Sequence, residues 1–147
     1  MIRYVFALLW GLFLFVCTCT YSFQRMIKHR TVSFHLNKHP DWHQLFQLPL
    51  ADIHSFQMKW YLFQKLGHFT GFGILAAILT GFGRSRFGLV LAFGYAVLTE
   101  VLQLFFGRDG RLFDVLIDGA GIVLAWALLA QPNRPAAKPG GRRSLQK

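Results

Sequence analysis

Apolar positions along the chain gather into four long runs, approximately Tyr4–Phe23, Leu66–Gly83, Phe87–Phe106 and Leu112–Ala130. Each is close to the roughly 20 helical residues needed to cross about 30 Å of hydrocarbon. The first run carries no charge, and its centre, WGLFLFVCTCTY, is too uniformly apolar to show an amphipathic stripe, as befits a helix facing lipid. Its length and the absence of a small-x-small cleavage site favour an uncleaved anchor over a removable signal peptide. The pattern therefore predicts an all-α, small polytopic membrane protein: four transmembrane helices in an antiparallel bundle, with one long loop, 24–65, between helices 1 and 2.

Polar positions complete this outline. The second half of the long loop, ADIHSFQMKWYLFQK, sets Ile53, Phe56, Trp60, Leu62 and Phe63 among polar residues. That mixture predicts an interfacial helix leading into the second span, with Trp60 and Tyr61 at headgroup level. The end of the chain, PNRPAAKPGGRRSLQK, has cations, prolines and glycines but no acid. Residues 132–147 are expected to be a disordered basic tail beyond a single membrane domain, 1–131.

Composition agrees with a membrane protein, since 54% of the 147 residues are hydrophobic and 16% aromatic. The net charge of +10 does not point to nucleic acid, because the cations are scattered over every loop and no binding motif accompanies them; anionic lipid is the simpler partner. Eight cations fall on each side of the predicted bundle. The short RSR turn and the basic tail favour cytoplasmic termini. Cys17 and Cys19 lie inside the first span, where small apolar filler is the expected role and a disulfide framework is not expected.

Against this apolar background the intramembrane polar residues gather at one end. Lys65 and His68 stand at the start of the second span, Glu100 and Gln103 in the last third of the third, and Arg108, Arg111, Asp114 and Asp118 around the start of the fourth. An up-down bundle brings all three places to one membrane face. Arg111, Asp114 and Asp118, at i, i+3 and i+7, share a strip about 60° wide, which Gly121 extends. A carboxylate facing lipid costs about 3 kcal/mol on insertion scales, so Asp118 is expected to turn inward. There Glu100, Asp114 and Asp118 would accept from Lys65, His68, Gln103, Arg108 and Arg111. Close helix approach is expected at the Gly67–Gly71 pair and at Gly119–Ala120–Gly121.

No metal site or cofactor is expected. His35, His39 and His43 are spaced by four, but Pro40 interrupts the helix that would align them.

The segments KLGHFTGFGIL, EVLQLFFGR and RLFDVLIDGAG, in this order, resemble the signature segments of VanZ-like membrane proteins. The likeness runs from Lys65 to Gly121. By resemblance Lys65, His68, Glu100, Gln103, Arg111, Asp114, Asp118 and Gly121 correspond to the family's recurring polar and glycine positions. Gly71 stands where relatives often carry an acid, and Asp118 where Asn or Asp is usual. The resemblance implies a multi-pass protein of the bacterial cytoplasmic membrane, a role in the cell envelope and, in some members, reduced susceptibility to glycopeptides of the teicoplanin type, without an established reaction.

Fixed cations and acids at a bilayer surface suit a lipid phosphate or pyrophosphate. The favoured expectation is therefore binding of a membrane lipid or a lipid-linked envelope precursor at Lys65, His68, Glu100, Gln103, Arg108, Arg111, Asp114 and Asp118. An intramembrane hydrolase or transferase using His68 and a carboxylate is a second reading, although the chain lacks both the phosphatase-type motif and the D-x-x-D-G-x-x-A-R pattern of CDP-alcohol transferases. A third is a purely structural charge network that holds the helices in register.

Overall fold

A computed structural model describes residues 2–49 and 58–130. The four spans are present as α1 (Ile2–Cys19), α3 (Met58–Leu79), α4 (Arg86–Phe105) and α5 (Leu112–Leu129), with a short α2 (Phe23–His29) after the first. No strand occurs among the described residues. The tail 132–147 and most of the first half of the predicted interfacial helix lie outside them.

Helix α1 buries only a narrow strip, Ala7, Gly11, Leu14, Thr18 and Cys19, and exposes Leu8, Leu9, Leu12 and Phe13 on its other faces. The strip follows the helical repeat and faces α3 and α4; the remainder is apolar because its solvent is lipid. Two side-chain bonds fasten this helix to the bundle. Trp10 Nε1 donates to the Gly71 carbonyl at 2.9 Å, and the Tyr95 hydroxyl donates to that of Gly11 at 2.6 Å.

The first span ends at Cys19, four residues before the apolar run does, because Ser22 begins a new helix. Its hydroxyl accepts the Arg25 N–H at 3.3 Å, satisfying one of the amides that a helix start leaves open. Apolar Phe23, Met26 and Ile27 then fall on one side of α2.

Residues 30–41 return across the end of the bundle without helix, tied by main-chain bonds from Tyr21 N to Ser33 O at 2.7 Å and from Asn37 N to Phe105 O at 2.6 Å. A 3-10 turn, Trp42–Phe46, follows; Asp41 caps it by accepting from His43 N. Since 30–41 is not helical, His35, His39 and His43 share no helix face; His35 packs instead on the Tyr21 ring.

Helix α3 corrects the expected boundaries of the second span, 66–83. It begins at Met58, so the latter part of the predicted interfacial segment is continuous with the span, and Lys65 and His68 lie two to three turns inside the helix rather than at its start. It stops at Leu79, and the Thr80 hydroxyl accepts the Gly83 N–H in the turn that follows.

The core is built of small or compact side chains: Ala7, Leu14, Phe72, Leu75, Ala76, Ala92, Ala96 and Ile122. Apolar burial gives no drive between helices in lipid, so close backbone approach carries the packing. The closest approach joins α3 to α5, where a Cβ on Gly121 would collide with the Phe69 carbonyl, and one on Gly73 would stand 3.1 Å from the Gly121 carbonyl. The expected Gly67–Gly71 pair does not act as a unit. Gly71 admits Leu14 of α1, whereas Gly67 has nothing within 4 Å of its open position.

Candidate functional site

Helix register sets the site. Lys65 and His68 are one turn apart on α3, Glu100 and Gln103 on α4, and Asp114 and Asp118 on α5. All except Lys65 are buried: Glu100 and Asp118 are 0% exposed, Gln103 1%, Asp114 2% and His68 5%. The three pairs interlock in two levels. In the upper level Lys65 Nζ meets Asp114 Oδ2 at 2.5 Å, while the ammonium also lies 5.0 Å from the centre of the Tyr61 ring.

One turn further along α3 and α5, His68 Nδ1 lies 3.1 Å from Asp118 Oδ1 and 3.8 Å from Glu100 Oε1. Gln103 Nε2 donates to Glu100 Oε1 at 3.0 Å, and the Arg111 main-chain N–H donates to Glu100 Oε2 at 2.9 Å. Gly110 makes the latter bond possible, because any Cβ there would overlap the Glu100 carbonyl. Asp114 Oδ1 and Asp118 Oδ2 are buried with no hydrogen-bond partner among the described residues.

Arg111 departs from its expected place. It is the N-cap of α5 with extended backbone (φ −135°, ψ 136°), so it does not continue the helical strip of Asp114 and Asp118. Its main chain serves Glu100, and its guanidinium lies 3.5 Å from Asp109. Arg108 Nη1 donates to the Thr20 carbonyl at 2.8 Å, joining the α4–α5 loop to the end of α1. Burial pushes the Arg108 guanidinium below its ordinary range, while Glu100 and then Asp109 pull the other way. Asp118, expected to take its donor from among several cations, takes it from His68.

All eight expected residues thus lie at one end of the bundle, in a buried cluster and at the edge of a cleft above it. The cleft, about 260 Å³, is lined by Lys65, Arg108, Arg111 and Asp114, with Tyr61 and Gln64 among the others. Beside it, between α1, α2 and α3, runs an apolar groove of about 510 Å³, with Phe13, Leu14, Met26, Ile27, Leu66 and Ile74 on its walls. Phe23 and Gln64 line both. Neither was expected as a site residue. The apolar i, i+3, i+4 spacing of Phe23, Met26 and Ile27 was the available signal for the groove wall.

Four apolar helices around a buried imidazole–carboxylate cluster, with a basic cleft at one end, define a small polytopic membrane protein with a polar intramembrane centre. The family model described as VanZ/LLP1 matches residues 2–131, and the chain belongs to that family. It is 38% identical over 126 residues to an uncharacterized membrane protein of Bacillus subtilis (strain 168), YwnJ, an alignment that covers 85% of this chain and 88% of the relative. No solved structure matches the chain.

Proposed function

We propose that the protein binds the phosphate-bearing headgroup of a membrane lipid or lipid-linked envelope precursor at the outer face of a bacterial cytoplasmic membrane. The observation that carries this reading is the meeting of the basic cleft and the apolar groove at Phe23 and Gln64. A membrane lipid is itself a charged head joined to an apolar chain. Lys65, Arg108 and Arg111 line the compartment suited to the head, and the α1–α3 groove offers the chain a path beside it. An ammonium has three donors, of which the bond to Asp114 uses one. Where the bound lipid is a precursor targeted by teicoplanin-type glycopeptides, its capture would lower susceptibility to them.

The test is mass spectrometry of lipids retained by the full chain after mild detergent purification, with phosphorus NMR titration of the delipidated protein. Enrichment of one phosphate-bearing class in the wild type, reduced in Lys65→Gln and Arg108→Gln, supports binding. Absence of enrichment, with no phosphorus shift on titration, defeats it.

A purely structural clamp is the second reading, favoured by the Lys65–Asp114 pair itself, since the Lys65 ammonium that lines the cleft is already engaged by a buried acid. Under that reading Lys65→Gln lowers thermal stability and lipid retention together, whereas binding predicts loss of retention in protein that remains folded.

A further inference from the structure

Below the cleft, two fully buried carboxylates share one imidazole. Glu100 is held at one oxygen by the Gln103 amide and at the other by the Arg111 main-chain N–H; Asp118 touches His68 through Oδ1 and has no partner for Oδ2 among the described residues. Even a protonated His68 would supply one positive charge against two. Lys65 sits one turn away and is paired with Asp114. A cation at this point would contact both carboxylates and the imidazole at once and offset the cost of burying the two acids together.

We propose that His68, Glu100 and Asp118 form a binding site for one first-row divalent transition-metal cation, such as Zn²⁺ or Mn²⁺. Their candidate ligand atoms, one from each residue, all lie within 4.8 Å of one another. Ligands about 2.0–2.2 Å from a common ion stand roughly 3.4 Å apart in tetrahedral geometry. The 3.1 and 3.8 Å separations from His68 Nδ1 bracket that spacing, and the Glu100 and Asp118 oxygens, within 4.8 Å of each other, would draw together around an ion. One nitrogen with two carboxylate oxygens suits borderline transition ions better than Mg²⁺ or Ca²⁺, which favour oxygen alone. A dication with a neutral imidazole also balances both carboxylates.

The surroundings have the form of an outer ligand sphere. Gln103 and the Arg111 N–H fix the orientation of Glu100, as partners of metal-bound carboxylates do. Each ligand comes from a different helix, so an ion would join α3, α4 and α5 at one point. Entry is from the cleft, because Lys65 and Asp114, which line it, precede His68 and Asp118 by one turn on the same helices. Three protein ligands leave a position for water or for an oxygen of a molecule in the cleft. The metal site does not depend on the headgroup reading.

The experiment uses untagged full-length protein in mild detergent, stripped with a chelator and reloaded separately with Zn²⁺, Mn²⁺ and Co²⁺ alone. Elemental analysis gives the stoichiometry, and the visible absorption of bound Co²⁺ reports its coordination. The expected result is about one ion per chain with a Co²⁺ ligand-field spectrum. His68→Ala and Asp118→Asn should weaken binding by more than the roughly 10–100-fold typical of an outer-sphere partner, while His39→Ala leaves it unchanged. Asp118→Asn preserves side-chain shape and serves where an alanine variant fails to fold. A wild type that retains no ion, or an ion whose spectrum and stoichiometry survive both His68→Ala and Asp118→Asn, overturns the proposal. Lipid retention without metal would leave the headgroup reading standing and remove this one.

Discussion

His68 and Asp118, fifty residues apart in the chain, meet at 3.1 Å in the buried junction of α3 and α5. This pair carries the polar centre into the bundle, and the cost of breaking it depends on which partner is removed. His68→Leu should lower thermal stability in detergent, because Asp118 loses its donor; deleting one side of a buried pair typically costs about 3–5 kcal/mol. The double variant His68→Leu with Asp118→Leu should be less destabilised than His68→Leu alone. Equal or greater loss in the double variant would show that the pair is not the source of the penalty.

Asp118→Asn removes a charge while keeping an oxygen acceptor and nearly the same shape, so it is expected to insert and fold normally. Asp114→Ala leaves the Lys65 ammonium without its carboxylate and should reduce stability or ligand retention. Size-exclusion profiles and thermal melts of the two variants side by side decide the matter, and the opposite ranking would contradict this assignment of partners.

Glycine positions separate close approach from mere helix thinning. Gly121→Ala places a methyl against the Phe69 carbonyl and should cost about 1–3 kcal/mol by forcing α3 and α5 apart. Gly67→Ala meets nothing within 4 Å, and should be neutral or slightly stabilising through the roughly 1 kcal/mol helix preference of alanine. Melting temperatures of the two alanine variants provide the comparison.

Four spans place the long loop and the C-terminal tail on opposite faces of the membrane. A reporter inserted at Asn37 and another fused to the tail should therefore respond oppositely, with the tail cytoplasmic as the RSR turn and tail charges favour. Like responses at both places would rule out the four-span arrangement.

The convergence of the polar residues was legible because helical spacing is a local property. Lys65 with His68 and Glu100 with Gln103 announce shared faces at i, i+3, and an antiparallel bundle brings those faces to one end. Arg111 was misplaced for the same reason: periodicity reads through a helix start without marking it, and a cap residue with extended backbone leaves the strip. The path of residues 30–41 had no comparable signal. Main-chain bonds such as Tyr21 N to Ser33 O hold it, and they can be made by almost any residue type. The junction of cleft and groove was also hidden, since it depends on where α2 rests against α1 and α3 rather than on a property of any one helix.

The close seam of α3 with α5 also bears on how the protein is made. Lys65 and His68 find their acids 49 and 50 residues later in the chain. At synthesis rates of about 5–20 residues per second, α3 waits roughly 2–10 s for its partner helix. During that interval its cation and imidazole must be accommodated by water, headgroups or the insertion machinery, until α5 emerges and supplies their carboxylates.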